Sequence, residues 1–382
     1  MFSDRAGYYI TQPSGYKSFK PKKLPPNPSV IFDSEMIDLL SKADRMLGKL
    51  DGITQTLPNP NLFVSMYVQK EAILSSQIEG TQASLTDVLD ISGSAEKREA
   101  VGEIVNYVRA MNYGLERLSD FPLSLRLIKE IHAELLSHGR GSERSPGEFR
   151  RTQNWIGPAG CDLYSATFIP PAVPDMLEAI NDLEFYLHEE DPLPPLVRIA
   201  LIHSQFETIH PFLDGNGRMG RLLITFWLCQ RHILSQPLLY LSYYFKQNRI
   251  EYYDKLMNVR INGDWEQWIK YFLKGVASTS NEAISTAMEI LSLKNECEAK
   301  LFPSKNINHS RLLDFLFEDP VITKNDAAKF LGIAIPTASR IVDDFCNKRI
   351  LEDITPNKQR YKRYAFMSYI NILGRGTEIT NG

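Results

Sequence analysis

The sequence predicts an all-α helical core with a short hairpin, followed by a C-terminal winged helix-turn-helix unit. Three observations predict it. Apolar residues recur at helical spacing through most of residues 35–295. Strand alternation is scarce over the same span. From residue 301, three short helical patterns give way to two short alternating stretches joined by a turn. A chain of 382 residues is expected to hold two or three domains.

The elements follow in order. The first 60 residues hold seven prolines. The stretch YKSFKPKKLPPNPSV (16–30) cannot be regular helix, because proline removes a donor and restricts the residue before it. Residues 1–34 therefore read as an extended N-terminal arm, either a loose tail or one wrapped on the body. Residues 35–120 read as an N-terminal helical region, with helical spacing at 37–47, 61–89 and 103–118. Residues 121–298 form the expected core. Helical patterns lie at 124–137, 175–188 and 196–209, after Gly217, and at 249–258, 265–278 and 281–298. Between them, 144–174 is rich in glycine, proline and aromatics and reads as a loop or short hairpin. In the last unit, 301–382, helices are expected at 310–318, 323–331 and 336–348. Thr323 is a candidate N-cap, Gly332 supplies a turn and Pro336 opens the third helix. Strands at 350–354 and 360–366 would form the wing.

Composition narrows the class. Apolar residues make up 43% and charged residues 23%, enough to bury a full core, which excludes wholesale disorder. A net charge of −3 excludes a basic nucleic-acid coat. The four cysteines are far apart without CxxC spacing, so neither a disulfide framework nor a zinc knuckle is expected. No apolar run approaches the roughly 20 residues that span a bilayer, and the start lacks a signal pattern. A cytoplasmic protein with no membrane partner is the expectation.

The stretch that carries chemistry is HPFLDGNGRMGR, residues 210–221. It begins where one helical pattern ends and finishes inside the next. Gly215 and Gly217 flank Asn216, and glycine lets successive N–H groups face one concavity. The helix that follows adds its partial positive charge, so a phosphate fits there. Arg218 and Arg221, three apart, share a face and reach one polyphosphate. Asp214 offers a hard oxygen to Mg²⁺. His210, with an ordinary pKa near 6.5, suits proton abstraction from an attacking hydroxyl.

This stretch resembles HPFx(D/E)GNGRxxR, the signature of the Fic family of nucleotidyl-transferring enzymes, with every specified position present. The resemblance, which covers roughly residues 35–295, implies the Fic fold and a protein adenylyltransferase. Such an enzyme transfers AMP from ATP to a Ser, Thr or Tyr hydroxyl of a target protein. It implies His210 as general base, Asp214 as Mg²⁺ ligand, and Gly215, Asn216 and Gly217 as the anion hole. Arg218 would hold the inner phosphates and Arg221 the γ-phosphate, with Met219 and Gly220 also lining ATP. Upstream, Ser75-Ser76-Gln77-Ile78-Glu79-Gly80 is similar to the family's inhibitory motif (S/T)xxxE(G/N). It implies that Ser75, Glu79 and Gly80 sit on an N-terminal inhibitory helix and that Glu79 pairs with Arg221. The loop before Pro170 would be the family's flap, with Trp155, Ile156, Gly157 and Phe168 as members. In the aromatic stretch YYFKQNRIEYY (243–253), Gln247 and Tyr253 are candidate adenine contacts, against core packing. Family members often dimerise. His203 reads as a satisfied core histidine.

Two further readings stay open. The same fold supports AMP removal or transfer of another phosphate-containing group. Alternatively, the body senses nucleotide for a DNA-binding regulator. Residues 301–382 carry twelve basic and nine acidic residues, with Lys348, Arg349, Lys358, Arg360, Lys362 and Arg363 around the wing. Thr337, Ser339 and Arg340 on the third helix could face a groove, yet Asp343 and Asp344 share that helix. The unit is expected to bind either DNA or a protein partner.

Overall fold

The computed structural model describes residues 4–55, 57, 60–89, 95–158, 160–302, 306–358 and 362–378. The chain opens with a hairpin, β1 (Gly7–Thr11) and β2 (Lys17–Pro21), in antiparallel register from Gly7 opposite Pro21 to Thr11 opposite Lys17. The arm expected to be extended thus folds back on itself, turning through Pro13, Ser14 and Gly15. Its position on the body is fixed by charge: Arg5, buried, pairs with Glu266 at 2.8 Å, and Lys20 pairs with Asp175 at 2.8 Å.

The helical body follows as α1 (Ser34–Gln55), α2 (Pro60–Ile78), α3 (Leu85–Leu89), α4 (Ala95–Arg117), α5 (Leu125–Leu135), α6 (Val173–His188), α7 (Pro195–Ile209), α8 (Asn216–Gln230), α9 (Leu241–Gln247), α10 (Arg249–Asn262) and α11 (Trp265–Leu301). The helical pattern over 61–89 breaks at Gly80, whose φ of +98° is open to glycine but strained for other residues. The patterns at 265–278 and 281–298 are one continuous helix. Nothing breaks it between them, and Thr279 there satisfies its hydroxyl on the Gly275 carbonyl (2.8 Å). Helices α7 and α8 run through the centre. Nearly all of their side chains are buried, so the loop joining them is held from every side.

The C-terminal unit is α12 (Ile307–Leu316), β3 (Val321–Ile322), α13 (Lys324–Leu331), α14 (Ile335–Asn347), β4 (Glu352–Asp353), β5 (Tyr364–Ala365) and α15 (Met367–Gly374). Thr323 and Asp326 form a reciprocal capping box at the start of α13, and Gly332 ends it in the left-handed region (φ +68°). The strands form an antiparallel sheet in the order β3-β5-β4, with β3 an addition to the two-stranded wing expected. The wing's basic residues are partly committed: Lys348 pairs with Asp344 (2.9 Å) and Lys362 with Asp353 (2.7 Å). On the third helix, Asp343 takes Lys324 (2.6 Å). Arg360 lies outside the described residues. Internal pairing of this kind subtracts from the cationic surface available to a phosphate backbone. All four cysteines are free thiols, and among the described residues no helix is long and apolar enough to cross a membrane.

Candidate functional site

The loop between α7 and α8 is built by its own residues and by three side chains from elsewhere. Asn216 closes it: its Oδ1 accepts from Phe212 N–H and its Nδ2 donates to Phe212 O, both at 2.8 Å. The Asn216 side chain therefore fixes the loop and leaves anion contact to the backbone. Gly215 caps α8 at φ +76°. The first helical bond runs from Met219 N–H to Gly215 O (2.9 Å), so the amides ahead of it are those a helix leaves without a carbonyl. Arg150, buried, donates its Nε–H to His210 O (3.0 Å), and its own amide donates to Pro211 O (2.9 Å). Asn154 donates to both His210 O (3.1 Å) and Phe212 O (3.0 Å).

His132 of α5 is the third support. It stacks on Phe212 with ring centroids 3.7 Å apart. Gly147 N–H donates to its Nδ1 (2.9 Å), so the ring proton is on Nε2 and reaches Asp214 O (2.9 Å). Burial draws its pKa down to about 4, and the ring is neutral. The sequence offered no partner for this histidine. His203 is buried, donating from Nδ1 to Gly220 O (3.0 Å) and accepting from the Tyr252 hydroxyl at Nε2 (2.9 Å).

His210 itself sits at the end of α7 with left-handed backbone (φ 50°, ψ 60°). Its Nδ1 faces the Glu207 carbonyl at 3.3 Å, which can only accept, so the proton is on Nδ1 and Nε2 keeps its lone pair. Burial, with Arg260 and Arg150 adding positive charge, pulls its pKa down to about 3. The arrangement is a neutral, oriented imidazole with a free base nitrogen.

Two arginines face the mouth of α8. Arg221 is buried and held by Ser75: its Nε donates to Ser75 Oγ (2.7 Å) and its Nη2 to Ser75 O (3.0 Å). The same Nη2 meets Glu79 Oε1 at 2.8 Å. Burial opposes ionisation of Glu79, but Arg221 outweighs it and holds the carboxyl below its ordinary range. The Glu79 carboxylate also lies against the Cα of Gly217, where a Cβ would collide with it. A carboxylate thus sits at the helix N-terminus, the place that favours an anion.

Arg218 is buried, with Glu103 Oε2 and Asp214 Oδ1 each 3.6 Å from its guanidinium. Its Nε and Nη1 have no hydrogen-bond partner among the described residues. Buried donors left open beside such a loop are able to take an anion. Glu103 of α4 is anchored by the Thr81 hydroxyl (2.7 Å), one residue past Gly80. No sequence pattern marked it.

The remaining candidates divide. Met219 buries its side chain in the core, and Gly220 lets Glu207 and Phe206 of α7 approach α8. The resemblance implied that both line the nucleotide; Met219 turns its side chain into the core and Gly220 faces α7, each about 100° round the helix from the neighbouring arginine. Tyr253 lies in the field of Glu79 and Arg221 and stays part-exposed, with burial pushing its phenol up to about 12. Gln247 ends α9 exposed, and no described hydrogen bond ties it to the loop. In the segment expected to be the flap, the described residues pair at one bridge, Ile156 opposite Phe168 (2.8 and 3.0 Å). Phe168 is buried under Arg260, whose guanidinium lies 4.0 Å from the ring centroid. Trp155 is exposed with its indole N–H on Cys161 O (3.0 Å), and Gly157 passes close to the Cys161 sulfur. The N-terminal hairpin abuts the flap through Phe19 N–H to Ile169 O (3.0 Å).

Two buried acids went unread. Glu207 has an Oε1 without a hydrogen-bond partner among the described residues and a pKa raised to about 7 by burial. Glu71, on α2 behind Ser75, accepts from Ser242 and from Tyr107 Oη (3.2 Å), and burial raises it to about 7 as well. A folded pKa above the ordinary 4.5 means the folded state binds the extra proton between those values. Stability from Glu71 is therefore full below pH 4.5 and lost as pH rises through 7. Glu71→Gln is expected to flatten the fall in Tm between pH 5 and 8 by about 2–4 °C, as calorimetry across that range would measure.

Comparison with known proteins adds to this geometry. Residues 37–116 match the Fic/DOC family N-terminal profile and residues 122–228 the Fic/DOC family profile. A relative described as protein adenylyltransferase Fic from Aedes aegypti is 32% identical over 221 residues, 53% of this chain and 40% of that one. Another of the same description, from Nematostella vectensis, is 30% identical over 253 residues, 63% of this chain and 53% of that one. The chain thus spans about half the length of these curated relatives. The crystal structure of a Fic family protein from Desulfovibrio desulfuricans G20 is similar in fold, with a TM-score of 0.58 at 19% identity. It covers 88% of this chain and 97% of that one, so the likeness in fold extends well beyond residues 37–228.

Proposed function

Because the chain belongs to the Fic/DOC family, we propose that it is a protein adenylyltransferase that moves AMP from ATP to a side-chain hydroxyl of a target protein, restrained by its own Glu79. The observation that carries this reading is the seat of the Glu79 carboxylate, on Arg221 and against Gly217. A negative group already sits where the tail of a nucleoside triphosphate would.

The chemistry follows from the residues. Arg218, with open buried donors, takes the inner phosphates. Arg221 takes the γ-phosphate once Glu79 has left. The amides opening α8 cradle the phosphate oxygens. The target hydroxyl, laid beside the flap, attacks Pα in line and the Pα–O bond to the β-phosphate breaks. His210 Nε2 takes the hydroxyl proton, and pyrophosphate leaves with the electron pair. Positioning and charge neutralisation supply most of the rate. Attachment of AMP to a target is tested by mass spectrometry after incubation with ATP, where an added mass other than AMP would refute the reading.

The donor set at Asp214 fits a shared Mg²⁺. Among the described residues no three acids or histidines cluster as a protein-only metal site. Asp214 is part-exposed beside Arg218 and presents a single carboxylate. Mg²⁺ is commonly held by one or two carboxylates together with substrate phosphates. Asp214 would hold the ion, which when bound neutralises phosphate charge. Asp214→Asn is expected to raise the Mg²⁺ concentration for half-maximal transfer about tenfold, read from a metal titration at saturating ATP.

The C-terminal unit is proposed to dock a protein rather than DNA, a reading supported by the pairing of its basic residues with Asp343, Asp344 and Asp353.

A further inference from the structure

We propose that residues 374–378, from the last residue of α15 onward, are a brace that holds the inhibitory helix α2 in place. The position of the C-terminal unit then sets how often Glu79 leaves Arg221. The inference rests on the reading of Glu79 as inhibitor and adds how that inhibition is regulated.

Helix α15 is rooted in the C-terminal unit by buried Tyr369, whose hydroxyl reaches Phe317 O (3.4 Å), and it carries the chain back to the body. Beyond it the chain turns tightly: Thr377 donates from its amide (2.9 Å) and its hydroxyl (2.7 Å) to Gly374 O. Thr377 is buried, and its carbonyl accepts from Gln77 Nε2 at 2.8 Å. Gln77 lies on α2 between Ser75 and Glu79. Its amide nitrogen also donates to Ala83 O (2.8 Å), so one NH₂ group ties together α2, the segment after it and the tail.

Three further contacts fix the tail itself. Lys246 of α9 donates to Glu378 O (2.9 Å) and Gly376 O (3.4 Å). Arg375 makes two 3.0 Å bonds to Glu289 of α11. Gly376 has a φ of +84° and lies against the Tyr243 ring, where a Cβ would collide. Tyr243 neighbours Ser242, the residue that holds Glu71 of α2. The tail therefore grips α2 directly through Gln77 and indirectly through α9. Each of these bonds leaves Glu79, Arg221 and His210 untouched, so the tail can be loosened without altering the catalytic groups.

The test is Gly376→Val in the full chain, with Lys246→Ala as a second, independent loosening. Two readouts are followed: hydrogen exchange of the amides at 75–81, and transfer of label from ATP. Both variants are expected to speed exchange at 75–81 and raise transfer about 2- to 10-fold, the equilibrium effect of losing about one hydrogen bond. Neither is expected to raise transfer further when Glu79 is already glycine. Unchanged exchange at 75–81 in both variants would overturn the brace. So would faster exchange without added transfer while Glu79→Gly is active. Faster exchange in a chain that stays inert even as Glu79→Gly would leave the brace standing and refute the adenylyl reading instead.

Discussion

Glu79→Gly is expected to raise AMP transfer about 10- to 150-fold over the unaltered chain, the shift set by a charge-assisted hydrogen bond of about 1.5–3 kcal/mol. The direction follows from what remains. Ser75 keeps its two bonds to Arg221, so the guanidinium stays aimed at the mouth of α8 while its counter-charge is gone. A buried arginine without a counter-ion is unstable alone and favours a phosphate. The same variant is therefore expected to melt lower than the unaltered chain and to regain more stability on adding Mg·ATP. A melting curve with and without nucleotide separates this from general loosening, which nucleotide would not reverse.

His210→Ala, made in the Glu79→Gly chain, is expected to lower transfer by about 10²–10⁴-fold with little change in ATP affinity. The loop does not depend on the imidazole for its shape. Arg150 and Asn154 hold the His210 carbonyl, and Asn216 holds Phe212. The ring contributes the lone pair on Nε2. With its pKa drawn down to about 3, the base form persists as pH falls, so no loss of rate centred near 6.5 is expected from this group. A pH–rate profile of the Glu79→Gly chain between pH 5.5 and 8 tests that, and a drop with midpoint near 6.5 would place the base elsewhere.

Much of the site was legible because its residues are close in sequence. The 210–221 loop brings the proposed base, the proposed anion cradle and two arginines together within one turn and the helix after it, and Gly217 leaves room for the Glu79 carboxylate against its backbone. Glu79 was legible only through the spacing Ser75-xxx-Glu79, which on a helix shares one face; in the structure α2 ends at Ile78, and Glu79 and Gly80 form the turn just past it, with the Glu79 amide on Ser76 O (3.1 Å). What was not legible came from tertiary packing. His132, Arg150 and Asn154 have no local pattern and gain meaning only when α5 and the 144–174 segment fold over the loop. Glu103 reads as one more acid on an amphipathic helix until α4 packs it beside Arg218. The core side of Met219 and the α7 side of Gly220 were not legible, because neighbours in a motif point to different sides of a helix. The N-terminal arm, read only as extended and rich in proline, gave no sign of its hairpin register. The tail's grip on α2 uses backbone carbonyls, which no side-chain pattern encodes.

The most direct test of the central claim uses the Glu79→Gly chain with a lysate as target source and ATP labelled at either the α- or the γ-phosphate. The claim is that one cationic mouth holds Glu79 at rest and a triphosphate tail in the active state, with Pα presented to the hydroxyl. It predicts protein-bound label from α-labelled ATP alone, with the γ-label released as pyrophosphate. Protein-bound label from the γ-position, or none from either, would contradict it.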